Sequence, residues 1–93
     1  MDRQFVIKAR FQRAYDQLSE DDRIRVKKSL AMLQAYVHTH QAPIGLGLKK
    51  LGPGVYEFRA GLSLRGVYVD EGSVLALALL GSHDAVRKFL KHC

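Results

Sequence analysis

Residues 55–69 read VYEFRAGLSLRGVYV, two β-branched and aromatic runs hinged on Gly61, and their register decides the fold. Successive strand residues take opposite faces, so Glu57 and Arg59 share one face while Tyr56 and Phe58 take the other. On the partner run Ser63, Arg65 and Val67 share a face, opposite Leu64, Gly66 and Tyr68. Loop parity sets how these faces combine. A two-residue loop pairs Ala60 with Ser63 and sends Arg59 and Arg65 to opposite faces. A three-residue loop of Ala60, Gly61 and Leu62 pairs Arg59 with Ser63 and Glu57 with Arg65. That choice collects the polar residues on one face and sets Phe58 across from Leu64 on the core side. The odd loop is expected, with Gly61 supplying the special dihedral.

Downstream, Asp70, Glu71 and Gly72 turn the chain into a third strand over 74–80, VLALALL. A strand apolar on both faces belongs in the middle of a sheet, covered on each side. Gly81 and Ser82 end it, and 83–92 reads as a closing helix with Val86, Phe89 and Leu90 turned inward. Upstream, Pro53 and Gly54 make a turn, and Pro43, Gly45 and Gly47 make 38–50 a loop ending in Lys49 and Lys50. Before it, Val26, Leu30, Leu33 and Val37 form the apolar stripe of a helix over about 20–38. Ser19 caps that helix, and Glu20, Asp21 and Asp22 favour the positive end of its dipole. Phe11, Ala14, Tyr15 and Leu18 give a shorter helix joined to it as an α-hairpin, preceded by a short edge strand at 4–9. The expected fold is α+β: an edge strand and N-terminal α-hairpin packed on a small antiparallel sheet, with a C-terminal helix, in one domain spanning 1–93.

Composition narrows the function classes. The 93 residues are 47% hydrophobic and 26% charged, the balance of a soluble globular domain with a modest core. No apolar run is long enough for a membrane span, and the first residues lack the basic-then-apolar order of a signal peptide. Cys93 is the one cysteine, so no disulfide within the chain forms, and a reducing cytoplasmic setting is expected. Fifteen Lys and Arg against nine Asp and Glu give +6, shared evenly between the two halves of the chain. Such a charge suits a polyanion or an acidic protein partner, as well as serving solubility.

Few residues invite chemistry. His38 and His40 lie two apart on a helix, do not share a face and have no carboxylate cluster beside them, so no metal is expected. The glycines at 45, 47, 52 and 54 lack the strand-before, helix-after setting of a phosphate loop, so no cofactor is expected either. The informative set is the hairpin face with Glu57, Arg59 and Arg65, bordered by Lys49 and Lys50. Two guanidiniums can clamp a phosphodiester and stabilise the extra charge of a phosphorane-like transition state. The plainer alternative is a solvated face on which Glu57 pairs with Arg65. His83 follows the central strand at the same sheet end, and histidine is the side chain suited to proton exchange near neutral pH. Its plainer alternative is a helix-start residue facing water.

The pattern G-L-x-x-K-K-L-x-x-G-V-Y-E-F-R-x-G-x-x-x-R-G-V-Y-V, followed by G-S-H-D-x-V-R-K-F, resembles the RelE/ParE toxin superfamily of bacterial toxin–antitoxin systems. The α-hairpin led by A-Y-D-Q-L-S-E-D-D-R agrees with it. The resemblance spans nearly the whole chain and rests on the order and spacing of loose motifs. For the RelE branch it implies a metal-independent, ribosome-dependent mRNA endoribonuclease, in which the 2′-hydroxyl attacks the adjacent phosphate. It implies that Arg65 is the transition-state phosphate ligand, that Arg59 and Glu57 occupy a site pair often basic in the family, and that His83 stands where the family has a basic residue. Glu57 departs from that pattern, although a carboxylate there could act as a base. Phe89 lies near a position held by tyrosine in some active members. Lys49 and Lys50 would bind RNA. The resemblance equally implies an antitoxin with an acidic segment. Two further classes stay open: a ParE-like toxin that binds DNA gyrase and cleaves nothing, and an inactive antitoxin-binding module.

Overall fold

A computed structural model of the chain describes residues 4–91. The elements run β1 (Gln4–Ile7), α1 (Ala9–Asp16), α2 (Glu20–Thr39), a 3-10 turn (Ile44–Leu46), β2 (Lys49–Gly52), β3 (Val55–Arg59), β4 (Arg65–Asp70), β5 (Val74–Gly81) and α3 (His83–Lys91). Five strands form one sheet in the order β1-β5-β4-β3-β2, antiparallel except for β1, which runs parallel to β5. The α+β class is as expected, and β1 makes the sheet mixed rather than wholly antiparallel. A parallel neighbour needs a long crossover, and the whole α1–α2 hairpin with three further strands supplies it.

The ends of α2 follow from local chemistry. Ser19 Oγ accepts the Asp22 backbone N–H at 3.2 Å, and Glu20, Asp21 and Asp22 fill the first turn. At the other end His40 adopts a left-handed conformation (φ 60°) and donates its N–H to the Tyr36 carbonyl at 2.7 Å. The chain then leaves the helix axis ahead of Pro43. The helix covers the expected span with one added residue.

The sheet is sandwiched, and its two faces carry two cores. On one, Phe58, Tyr68, Leu75, Leu77 and Leu80 meet Phe11 of α1 and Val26 and Leu33 of α2. On the other, Val67 and Leu79 meet Val86 of α3, with Leu51, Val55, Phe89 and Leu90 packed around them. The inward turn expected for Val86, Phe89 and Leu90 is what α3 shows. A bulge lets β5 serve both cores: Val67 pairs with Leu79 but Tyr68 with Leu77, which leaves Ala78 unpaired. Leu77 and Leu79 thereby face opposite layers. The strand is interior, between β1 and β4 rather than at the middle of the sheet, and is buried on both sides as its VLALALL sequence leads one to expect.

Two expectations about the hairpin region are corrected. The β3–β4 loop is odd, but it spans residues 60–64, closed by the Ala60 N–H donating to the Leu64 carbonyl at 3.0 Å. Arg59 therefore pairs with Arg65 rather than Ser63, Glu57 with Val67 rather than Arg65, and Phe58 with Gly66 rather than Leu64. The reason is volume. A Cβ built on Gly66 would stand 2.6 Å from Cε1 and 2.8 Å from Cε2 of Phe58, so the ring lies where any other side chain would be. The second correction concerns Lys49 and Lys50, which lie on strand β2 and not in a loop. Pro53 and Gly54, the latter at φ 71°, close a tight β2–β3 turn that pulls the two lysines into the ladder.

Gly66→Ala should cost about 1–3 kcal/mol through overpacking, seen as a thermal midpoint lower by at least about 4 °C. Combining it with Phe58→Leu should cost less than the sum of the two single changes, because the smaller side chain vacates the contested space.

Candidate functional site

Strand alternation sets out the site in two rows across the sheet. In the inner row Lys49 of β2 pairs with Glu57 of β3, which pairs with Val67 of β4 and through it Leu79 of β5. In the outer row Arg59 pairs with Arg65, and Arg65 with Gly81. Both rows belong to the face that α3 covers. The two-residue register shift keeps parity, so Glu57, Arg59 and Arg65 still share a face. Lys49 joins them. Lys50 pairs with Tyr56 and takes the opposite face, so the structure separates the two lysines.

Arg59 and Arg65 are direct cross-strand neighbours. The Ala60–Leu64 hydrogen bond makes theirs the next, non-hydrogen-bonded pair, with Cα atoms about 4.5 Å apart and side chains close. Like charges so placed repel. Neither guanidinium forms an ion pair with Glu57 among the described residues. Arg65 Nη1 donates only to its neighbour's carbonyl, Leu64 O, at 3.5 Å. Arg59 lays its stem against Gly47, where an added Cβ would stand 3.4 Å from Arg59 Cβ. Arg59 is exposed and Arg65 half-buried, whereas Glu57, one row inward, is 9% exposed. Two cations face each other across the ladder, and the nearly buried Glu57 stands in the next row of the same face.

The start of α3 closes the same end of the sheet. Ser82 Oγ accepts the Ala85 N–H at 3.1 Å, capping the helix at the residue that directly follows Arg65's partner Gly81. A Cβ at Gly81 would come within 3.0 Å of Ala85 Cβ, so the helix begins hard against the strand end. His83 is the first residue of α3 and is exposed. Phe89 packs in the core beneath, against Val67, Leu79 and Val86. Two aliphatic residues that the sequence reading passed over stand at this end as well. Leu62, midway between Arg59 and Arg65 in the loop, is 80% exposed, and Ile44 in the 3-10 turn is 100% exposed. The signal for Leu62 was its place at the centre of a loop longer than the one expected. Away from this site, a hollow of about 480 Å³ lies between β1 and α2 and is lined by Phe5, Ile7, Leu30, Gln34, His38 and Leu77 among others. No described group of three or more His, Cys, Asp or Glu could hold a metal ion, and no described helix is long and apolar enough to cross a membrane.

No family model and no curated protein matches the chain in sequence. Solved structures do match in fold. The YoeB dimer of Staphylococcus aureus superposes with a TM-score of 0.68 at 19% identity, covering 89% of this chain and 99% of that one. RelE in the archaeal RelE–RelB complex of Pyrococcus horikoshii gives 0.67 at 19% identity, over 88% of this chain and 96% of that one. A chain of the E. coli DinJ–YafQ toxin–antitoxin complex gives 0.67 at 13% identity, over 92% and 98%. The fold is thus the RelE/ParE toxin fold that the sequence motifs resemble.

A bound polyanion should relieve the Arg59–Arg65 repulsion. Millimolar tripolyphosphate should raise the thermal midpoint of the wild-type chain and of Lys50→Ala. It should raise that of Arg59→Gln/Arg65→Gln much less, and a shift of wild-type size in this double variant would remove the anion site.

Proposed function

We propose that this chain is the toxin of a toxin–antitoxin pair, a cytoplasmic endoribonuclease that cleaves mRNA on the ribosome. The observation that carries the reading is the cross-strand opposition of Arg59 and Arg65, with no carboxylate among the described residues bound to either. Such an arrangement is unfavourable alone and favourable around a phosphodiester, whose transition state carries more negative charge than its ground state. The RelE/ParE toxin fold supports the reading at the level of architecture.

In this mechanism Arg59 and Arg65 clamp the non-bridging phosphate oxygens. The 2′-oxygen of the preceding ribose attacks phosphorus while the bond to the 5′-oxygen breaks, leaving a 2′,3′-cyclic phosphate and a 5′-hydroxyl. The nucleophile's proton goes to Glu57 or His83, and the other of the two donates a proton to the departing oxygen. Glu57 lies one row inward from the arginine pair on β3, and His83 begins α3 just beyond Gly81, the partner of Arg65. Phe89, which would be a tyrosine in some active relatives, offers no hydroxyl and serves the core. Lys49 extends the cationic track along the same face. The antitoxin partner would carry an acidic segment complementing the +6 charge.

Arg65→Ala should lower cleavage of mRNA on programmed ribosomes roughly a hundred- to thousand-fold with the circular dichroism spectrum unchanged. Full cleavage by the folded variant would remove the catalytic assignment and leave a non-enzymatic toxin as the better account. Because Lys49 shares the arginine face and Lys50 does not, Lys49→Ala should flatten the salt dependence of RNA binding by about one phosphate contact. Lys50→Ala should leave that slope nearly unchanged.

A further inference from the structure

We propose that Leu62 and Ile44 form an apolar rim that holds the RNA bases on either side of the clamped phosphate apart, setting the strand in the geometry that attack requires. The inference rests on the nuclease reading above. Leu62 is the central residue of the loop joining Arg59 to Arg65, three positions from each. The loop is fixed to the protein: Ala60 is fully buried, Leu64 packs on the α1–α2 core, and the Ala60–Leu64 hydrogen bond ties its base. Its central apolar residue nevertheless projects into solvent. The 3-10 turn that leads into Gly47 repeats this construction. Leu46 is fully buried, Gly47 lies against Arg59, and Ile44 is wholly exposed.

Two anchored segments therefore each present one exposed aliphatic side chain, Leu62 in the loop that joins the arginines and Ile44 three residues before the Gly47 that lies against Arg59. The charge next to them selects the occupant. A ligand that brings phosphate to Arg59 and Arg65 and apolar faces to Leu62 and Ile44 is single-stranded nucleic acid, whose bases are flat and apolar. The chemistry gives the contact a purpose. Attack by the 2′-oxygen needs it in line with the bond to the departing 5′-oxygen, and a stacked, A-form strand holds these atoms out of line. Aliphatic side chains pressed between base steps unstack them in other nucleic-acid complexes. Here the same wedge frees the sugar–phosphate backbone to turn into line.

The test uses ribosomes programmed with mRNA carrying 2-aminopurine beside the scissile phosphate and a 2′-O-methyl group that blocks cleavage. Wild-type protein should raise the fluorescence as the base leaves the stack. Leu62→Ser and Ile44→Ser should each diminish that rise, and the double variant should abolish it. On cleavable mRNA the double variant should be roughly ten- to a hundred-fold slower at saturating protein. Its melting temperature should stay unchanged, and Leu62→Met should retain wild-type behaviour. A wild-type fluorescence rise in the folded double variant overturns the proposal. So does cleavage that needs Arg65 but neither aliphatic residue, which leaves the nuclease reading standing. Absence of any Arg65-dependent cleavage by the wild-type chain overturns both.

Discussion

The ring of Phe58 lies over the backbone of Gly66, and this contact sets the alignment of β3 and β4 on which the site depends. A strand register can slip only in steps that keep the core face buried, so the competing alignments differ by two residues. In the alignment with Phe58 opposite Leu64, two bulky groups would share one rung. Opposite Gly66 the ring has the rung to itself, and Leu64 is released to anchor the loop. Arg59 then meets Arg65 across the ladder. The charge arrangement at the surface is thus a product of packing in the core.

The sheet divides labour between its faces. The α1–α2 hairpin covers the face with Phe58 and Tyr68, where Tyr56 and Tyr68 also stack at 5.1 Å between centroids. The shorter α3 covers only part of the other face, over Val67 and Leu79. The remainder of that face carries exposed Lys49 and Arg59 and half-buried Arg65, with Glu57 nearly buried among them. The nine-residue α3 starts close against the end of β5, two residues after Gly81, the partner of Arg65. Small residues at Gly66 and Gly81 thus admit the Phe58 ring and the start of α3 respectively.

Much of this was legible in the residues. The cap at Ser19, the stripe of α2, the two-faced β5 and the shared face of Glu57, Arg59 and Arg65 all follow from periods of 3.6 and 2 and from charge. What escaped was set by tertiary packing. Whether a loop holds three residues or five depends on where a ring fits, and nothing local to Gly61 reports on Gly66. The strand character of Lys49 and Lys50 was hidden because two charged residues beside a loop rich in Pro and Gly carry no apolar alternation. The parallel pairing of β1 joins positions about seventy residues apart, beyond the reach of any local pattern.

That pairing bears on how the molecule comes into being. Gln4 lies against Val74 and Ile7 against Leu77, so the first strand has no partner until the end of β5 has been made. Phe11, Val26 and Leu33 likewise lack Leu75, Leu77 and Leu80 of their core before then. The α-hairpin can form early, since its contacts are local, but the sheet must close a loop spanning most of the chain. During synthesis the nascent polypeptide displays an amphipathic helix pair with its apolar side bare, and the arginine pair is assembled only afterwards. The Arg59–Arg65 pair, carried by the later β3–β4 hairpin, therefore forms after an exposed apolar α-hairpin has appeared on every newly made copy.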